Sequence, residues 1–266
     1  MKSSSIINAC FLVCLFMSNC SANGPTKIVI ITEYGDIELQ LFEKTPQHHD
    51  NFVKLVKEGF YDGTLFHRVI KGFMIQGGDP NSRNAEPNAR LGVGGPDYTV
   101  PAEFVPEYIH KRGALAAARQ GDHVNPLKAS SGSQFYIVQG KVFNDEELNN
   151  VELQIAQGMA RQMYSQYLAE EEEAMRKAGQ TVDPNVAHER AAGRATTFLL
   201  ENPFKMSDED RQTYKTIGGA PHLDGEYTVF GEVIKGMEII DRIAELETDD
   251  SSRPKTDVRI RRMRVR

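Results

Sequence analysis

The sequence predicts a mainly β fold interrupted by a helical block. Three observations carry that prediction. Short β-branched or alternating runs, separated by glycine-rich turns, fill the chain up to Gly140. From Lys141 to Thr216 the apolar residues instead recur at helical spacing, and strand alternation returns at Tyr227 to Val233. At 266 residues, 40% hydrophobic and 26% charged, the chain has an ordinary globular composition and enough length for a substantial core. Its net charge of −6 argues against a nucleic-acid partner. Basic residues do crowd the end (Arg253, Lys255, Arg259, Arg261, Arg262, Arg264, Arg266). Val258, Ile260, Met263 and Val265 interleave with them, the pattern of a closing strand with one solvated face.

Residues 1–23 read as a leader, not as fold. Lys2 supplies a positive start, and Ile6 to Met17 form an apolar run too short to span a membrane. Leu15-Phe16-Met17-Ser18-Asn19-Cys20 resembles the lipobox of bacterial lipoproteins, which places cleavage before Cys20 and a lipid on that cysteine. Asn19 departs from the small residue usual there, so ordinary cleavage after Ala22 is the alternative. Either way the expectation is export to the periplasm or cell envelope, with Cys20 as a membrane anchor in the first case. All three cysteines, Cys10, Cys14 and Cys20, lie in this segment, so the mature part has no disulfide and relies on packing.

Thr26 to Thr32, Glu33-Tyr34-Gly35-Asp36 and the alternation Ile37 to Leu41 predict an antiparallel hairpin. Thr45-Pro46 then opens a helix with a Phe52, Leu55, Val56 stripe and a stop at Gly59. His48 and His49 sit in its first turn, where adjacent side chains diverge, and are expected at the surface. Tyr61 to Tyr98 reads as strands and turns. Its Leu91 to Pro96 glycine run lacks the pattern of a phosphate-binding loop and reads as tight turns between strands. Gly113 to Arg119, built of small residues, is a closely packed strand. In the block, one helix covers Asp145 to Lys177, a second runs from Val186 to Leu200, and Ser207-Asp208-Glu209-Asp210 begins a third. A further helix carries Met237, Ile240, Ile243 and Ala244 before the last strand.

The chain has no Gly-x-Ser-x-Gly elbow, no His-Glu-x-x-His helix and, past the leader, no cysteine, so covalent and metal-assisted chemistry lose their usual participants. No cofactor or metal is expected. The most informative stretch is Phe66 to Asp79. It sets Arg68 and Gln76 among Val69, Phe73, Met74 and Ile75 and ends on Gly77-Gly78-Asp79. With Gly132-Ser133-Gln134-Phe135-Tyr136-Ile137-Val138, it resembles the cyclophilin family of peptidyl-prolyl cis-trans isomerases.

The resemblance covers residues 27–140 and 217–266 and leaves 141–216 as a helical insertion. It implies a closed eight-stranded antiparallel barrel capped by helices, and isomerisation of Xaa-Pro bonds in unfolded or exported proteins. By position, Arg68 matches the family's catalytic arginine, and Phe73, Met74, Tyr136 and Leu223 its proline pocket, where phenylalanine is commoner than Tyr136. Gln76 and Gln134 match glutamines that bond the substrate backbone; Ala118 and Arg119 line the neighbouring groove. His222 and Tyr227 stand where cyclosporin-sensitive members carry tryptophan and histidine, which implies altered substrate preference. The loop Gly121 to Ser131 is longer than usual. His67 follows the family pattern and is expected to be a hydrogen-bonded structural histidine. The partners implied are proline-containing segments of unfolded envelope proteins. The alternative is a non-catalytic chaperone or scaffold that binds proline peptides and uses the insertion as its main surface. The insertion falls between the Gln134 strand and the His222-Leu223 loop, which predicts a helical arm near the pocket rim.

Overall fold

The computed structural model describes residues 24–266, so the leader-like segment with Cys10, Cys14 and Cys20 lies outside the described residues. The expected hairpin is β1 (Lys27–Thr32) and β2 (Gly35–Leu41), paired from Lys27 opposite Gln40 to Thr32 opposite Gly35. Helix α1 (Pro46–Lys57) follows, with Pro46 in its first turn and Phe52, Leu55 and Val56 buried. Then come β3 (Arg68–Ile70), β4 (Met74–Gly77), β5 (Thr99–Val100), β6 (Ala114–Ala117), β7 (Ser130–Ser131) and β8 (Phe135–Val138). The helical block 141–216 contributes α2 (Asp145–Lys177), α3 (Pro184–Glu201) and α4 (Asp208–Thr216). The chain closes with β9 (Val229–Lys235), α5 (Met237–Ala244) and β10 (Ile260–Val265).

Eight strands form one antiparallel sheet in the order β10-β1-β2-β9-β6-β8-β4-β3, and β5 pairs with β7 apart from it. Register shifts in β1, β2 and β6 mark irregularities of the bulge type that bend and twist a sheet. The closed barrel that the resemblance implies is corrected by this topology: the sheet is an open, curled half-barrel. Its edges β3 and β10 share no ladder; the chain just before each of them meets at the bridge Leu65–Arg259, and Gly63 N–H donates to Ile260 O at 2.7 Å. The reason is local. β3 has three residues, and the loop ahead of β10 takes up its free edge, where Val69 N–H donates to Ser252 O at 2.8 Å.

The concave side holds the main core. Ile28, Ile30, Ile37, Leu39, Ile75, Leu115 and Ile137 point inward, and α1 and α5 cap them with Phe52, Leu55, Ile240 and Ile243. The outer side of β4, β6 and β8 carries a second cluster of Met74, Ala114, Ala116, Tyr136 and Val138. The small residues of β6 are therefore buried on both faces, as their sizes suggest.

The helical block leaves and rejoins the sheet at one point. Gly219 N–H donates to Lys141 O at 2.9 Å, and a Cβ on Gly140 would stand 2.5 Å from Gly219 Cα, so glycine is required for this close approach. Beyond that clip, α2 starts at a capping box between Asn144 and Glu147 and pairs with α3 as a helical hairpin. Ser207 caps α4 by accepting from Asp210 N–H at 3.0 Å. No helix among the described residues is long and apolar enough to cross a membrane.

Candidate active site

Strand register assembles the site. On β3 and β4, Arg68 lies opposite Gln76; on β4 and β8, Gln76 lies opposite Tyr136; on β8 and β6, Tyr136 lies opposite Ala116. These four residues form one row across the outer face, and the period of two puts Met74 beside Gln76 on that same face. A cleft of about 190 Å³ opens over the row. Arg68, Phe73, Met74, Gln76, Ala118, Arg119, Tyr136, Leu223 and Tyr227 line it, so nine residues singled out from the sequence meet there. The other two adjoin it. Gln134 bonds Gln76, and the exposed His222 lays its ring 5.5 Å from that of Phe73.

The polar wall is an ordered chain of donors. Gln134 Nε2 donates to Gly94 O at 2.7 Å, Gln76 Nε2 donates to Gln134 Oε1 at 3.0 Å, and Arg68 Nη1 donates to Gln76 Oε1 at 3.3 Å. Each amide is thereby oriented. Arg68 is half-buried and pairs with no carboxylate among the described residues, which leaves guanidinium N–H groups free to face a ligand. The opposite wall is apolar: Phe73, the buried Met74, Tyr136 and Leu223, and Tyr227 edge-on to Tyr136 at 5.9 Å.

Arg119 lines the cleft but is committed elsewhere. Its guanidinium bonds Glu226 O at 2.7 Å, pairs with Glu226 and Asp122 carboxylates, and lies 4.5 Å over the Tyr227 ring. Its charge is neutralised, and its work is to hold Tyr227 in place.

Several features were not read from the sequence. The Tyr136 hydroxyl is buried and reaches His110 Nε2 at 2.9 Å; His110 Nδ1 meets Asp224 Oδ1 at 2.9 Å; Tyr214 of α4 donates its hydroxyl to Asp224 Oδ2 at 2.6 Å. A carboxylate only accepts, so in the neutral ring His110 carries its proton on Nδ1 and accepts from Tyr136 at Nε2. Burial pushes the Tyr136 and Tyr214 hydroxyls well above the usual tyrosine range and keeps both protonated. The one hint in the sequence was Tyr136 itself, since a buried hydroxyl needs a partner.

Asp79, fully buried, accepts from Gly92 N–H at 2.6 Å, Gly94 N–H at 3.2 Å and Asn81 N–H at 2.8 Å. The glycine run is therefore a long loop folded around one carboxylate and not a set of tight turns between strands. Its glycines bring backbone N–H groups onto Asp79 and present Gly94 O to Gln134. His48 is corrected as well. It is buried, with Glu103 Oε2 at 2.7 Å and Ser130 Oγ at 2.9 Å, because its partners arrive from distant loops. Burial depresses its pKa against the pull of Glu103. His67 is buried too, but both ring nitrogens lack a hydrogen-bond partner among the described residues, contrary to the expected bonded histidine. Burial lowers its pKa to about 4, so the ring is neutral near pH 7 and takes no charge beside Arg68.

Comparison with known proteins fits this geometry. The profile of the family described as cyclophilin type peptidyl-prolyl cis-trans isomerase/CLD matches residues 27–265. The chain is similar to a provisionally named bifunctional phosphatase/peptidyl-prolyl cis-trans isomerase of Streptococcus pyogenes, 32% identical over 248 residues, and spans 39% of that protein's length. A provisionally named peptidyl-prolyl cis-trans isomerase of Staphylococcus saprophyticus is 31% identical over 247 residues, which cover 91% of this chain and 93% of that one. Among solved structures, a Cryptosporidium parvum cyclophilin type peptidyl-prolyl cis-trans isomerase aligns with TM-score 0.52 at 22% identity, covering 91% of this chain and 98% of that one. The same protein in the presence of the dipeptide Ala-Pro gives 0.51. At this identity the likeness speaks for the fold.

Proposed function

The chain belongs to the cyclophilin-type peptidyl-prolyl cis-trans isomerase family, and on that premise we propose that Arg68 is the catalytic donor of its reaction. The isomerase turns the Xaa-Pro bond, whose barrier of about 20 kcal/mol is the resonance lost when the amide twists. The proline ring sits against Phe73, Met74, Tyr136 and Leu223 while the preceding carbonyl rotates. Twisting localises the lone pair on the proline nitrogen and makes it a better acceptor. A guanidinium N–H aimed at that nitrogen binds the twisted amide more tightly than the planar one, which is what lowers the barrier. Gln76 serves twice: its carbonyl oxygen orients Arg68, and its side chain stands where a substrate backbone group would pass. No bond to a nucleophile forms and no proton needs to move, in keeping with a neutral, unpartnered His67.

The observation that carries this reading is a half-buried arginine with no acidic partner, held by Gln76 at the edge of an apolar cleft. A scaffold that only gripped proline would gain little from an unneutralised guanidinium there, which favours catalysis over the binding-only alternative. Exchange spectroscopy on a short Ala-Pro peptide tests it: Arg68→Ala should lower kcat/KM by about 10²–10³, the cost of one such donor. Equal rates for variant and wild type would sink the assignment.

The natural substrates on this reading are proline-containing segments of unfolded exported proteins, met in the periplasm or cell envelope. Support comes from the leader-like residues 1–23 and the lipobox-like run into Cys20. Mass spectrometry of the mature N-terminus should find a lipidated Cys20; an unmodified N-terminus after Ala22 would replace the anchor with simple secretion.

A further inference from the structure

The cleft over Arg68 does not stop at Tyr227. That ring is also a wall of a second cleft, of about 290 Å³, whose other apolar walls include Phe104, Pro106, Phe204 and Met206. The second cleft in turn shares Tyr108, Ile109, Asp210 and Val229 with a third, of about 320 Å³, that reaches Glu209 and Glu232. Tyr227 adjoins the first two clefts and four side chains adjoin the last two, so the three lie in a row; the segment 104–109 lines one side of the second and third, and the α3–α4 linker and first turn of α4 the other.

Both sides are built, not draped. Glu152 of α2, 7% exposed, accepts from Met206 N–H at 3.0 Å and from Arg211 Nη1 at 3.0 Å, which pins the linker that carries Phe204 and Met206. Across the groove, Glu103 N–H bonds Thr228 Oγ1 at 3.0 Å, and the Tyr108 ring packs against that of Phe42, tilted, at 4.2 Å. Phe104 is nonetheless 41% exposed on that wall. At the far end Glu107 pairs with Lys44 and Glu232 with Lys111, whereas Glu209 and Asp210 have no cationic partner among the described residues.

The geometry points to an extended substrate site: the polypeptide whose proline lies at Arg68 continues through this groove, with a large apolar side chain between Phe104 and Phe204 and a cationic one near Glu209 and Asp210. This rests on the isomerase reading, because continuity with the Arg68 cleft through Tyr227 is what selects the substrate chain as occupant. An extended strand advances about 3.3–3.6 Å per residue, so a decapeptide reaches well past the cleft that holds its proline. The insertion then has a defined task. Its linker makes one wall of the substrate groove, while the α2–α3 hairpin supports that wall through Glu152.

The test uses the full chain with single-proline peptides. One is an Ala-Pro tetrapeptide; the others are decapeptides with Phe and Lys placed on either the N- or the C-terminal side of the proline. At least one decapeptide should bind about tenfold more tightly than the tetrapeptide, in fluorescence polarisation. Phe104→Ser and Phe204→Ser should each remove most of that gain while tetrapeptide isomerisation stays at the wild-type rate. Glu209→Gln with Asp210→Asn should weaken the Lys-bearing peptide severalfold and flatten its salt dependence. A benzophenone in place of the peptide's Phe should cross-link to the 104 or 204 segment, a readout independent of the variants. Decapeptides no tighter than the tetrapeptide, or a gain that survives both serine variants, would overturn the proposal. A wild type that binds the decapeptide tightly yet leaves the tetrapeptide at its uncatalysed rate would instead overturn the role of Arg68 and leave the groove standing.

Discussion

The half-barrel and the α2–α3 hairpin bury their residues in different ways. Every residue of β6 and β8 is buried, their outer face packing on Leu223 and Val229 and their inner face on the core beneath α1 and α5. Of the 33 residues of α2, only Leu148, Val151, Glu152 and Met175 are buried, and α3 adds the small stripe Ala187, Ala191 and Ala195. The hairpin is otherwise laced by exposed pairs such as Arg194 with Glu170 and Glu171, which water and salt screen. The difference teaches where rigidity is needed. On the proposed reading, a donor that must distinguish a twisted amide from a planar one has to be held by a packed sheet, whereas a wall that grips a substrate flank needs only to be pinned at its root.

The largest expected effect breaks that comparison if it fails. Ile137→Ala, at a fully buried position of β8, should cost about 2–5 kcal/mol in denaturant unfolding. Met163→Ala, half-buried on α2, should cost about 1 kcal/mol or less. Native-state hydrogen exchange should agree, with β6 and β8 amides opening only on global unfolding and α3 amides opening locally. Equal protection in both regions would mean that the hairpin is part of one cooperative unit with the sheet.

A second expectation places the acid sensitivity at the entry to β3. The folded-state pKa of His67, about 4, lies below the ordinary histidine value of 6.5, because burial disfavours the charged ring. Above pH 6.5 the ring is neutral in both states and costs nothing differential. As pH falls from 6.5 towards 4 the unfolded chain takes up a proton that the folded chain refuses, so stability declines by up to about 3 kcal/mol across that window. His67→Phe should flatten the slope of unfolding free energy against pH between 6.5 and 4. An unchanged slope would show that His67 is not the group responsible.

Much of this was legible in the sequence, and the exceptions have a common cause. The β1–β2 hairpin, α1 and the bounds of α2 follow from local patterning: alternation in Ile37 to Leu41, Pro46 in the first turn, periodicity from Leu148 to Leu168. Arg68, Met74, Gln76 and Tyr136 converge because strand register carries order in the chain directly into adjacency across the sheet, and the other five cleft residues reach them from the turns and loops beside those strands. What escaped depends on partners far away in sequence. Glu103 lies 55 residues from His48, and Asp224 lies 114 from His110, so neither burial nor bonding could be inferred from the residues beside those histidines. The openness of the sheet is of the same kind, since it depends on how the loop before β10 meets β3.

The smallest effect is the sharpest test of whether the two regions are independent. Tyr214, on α4 of the insertion, reaches the proline pocket through Asp224 and His110 to the Tyr136 hydroxyl, a chain of three hydrogen bonds whose tyrosine and histidine members are buried. Tyr136→Phe keeps the ring in the cleft wall but leaves His110 Nε2 without its donor, a loss of about 1–3 kcal/mol for a buried acceptor. Tyr214→Phe removes one donor from Asp224, which keeps the bonds from His110. If the chain acts as a unit, losing either end changes what the other is worth, and the double variant should depart from the sum of the singles by about 0.5–1 kcal/mol. Additivity within about 0.3 kcal/mol would mean that the insertion merely stands beside the pocket. A measured coupling would mean that α4 helps fix the pocket wall, so that a substrate flank pressing on the α4 side of the groove acts on the same hydrogen-bonded chain that holds the proline ring.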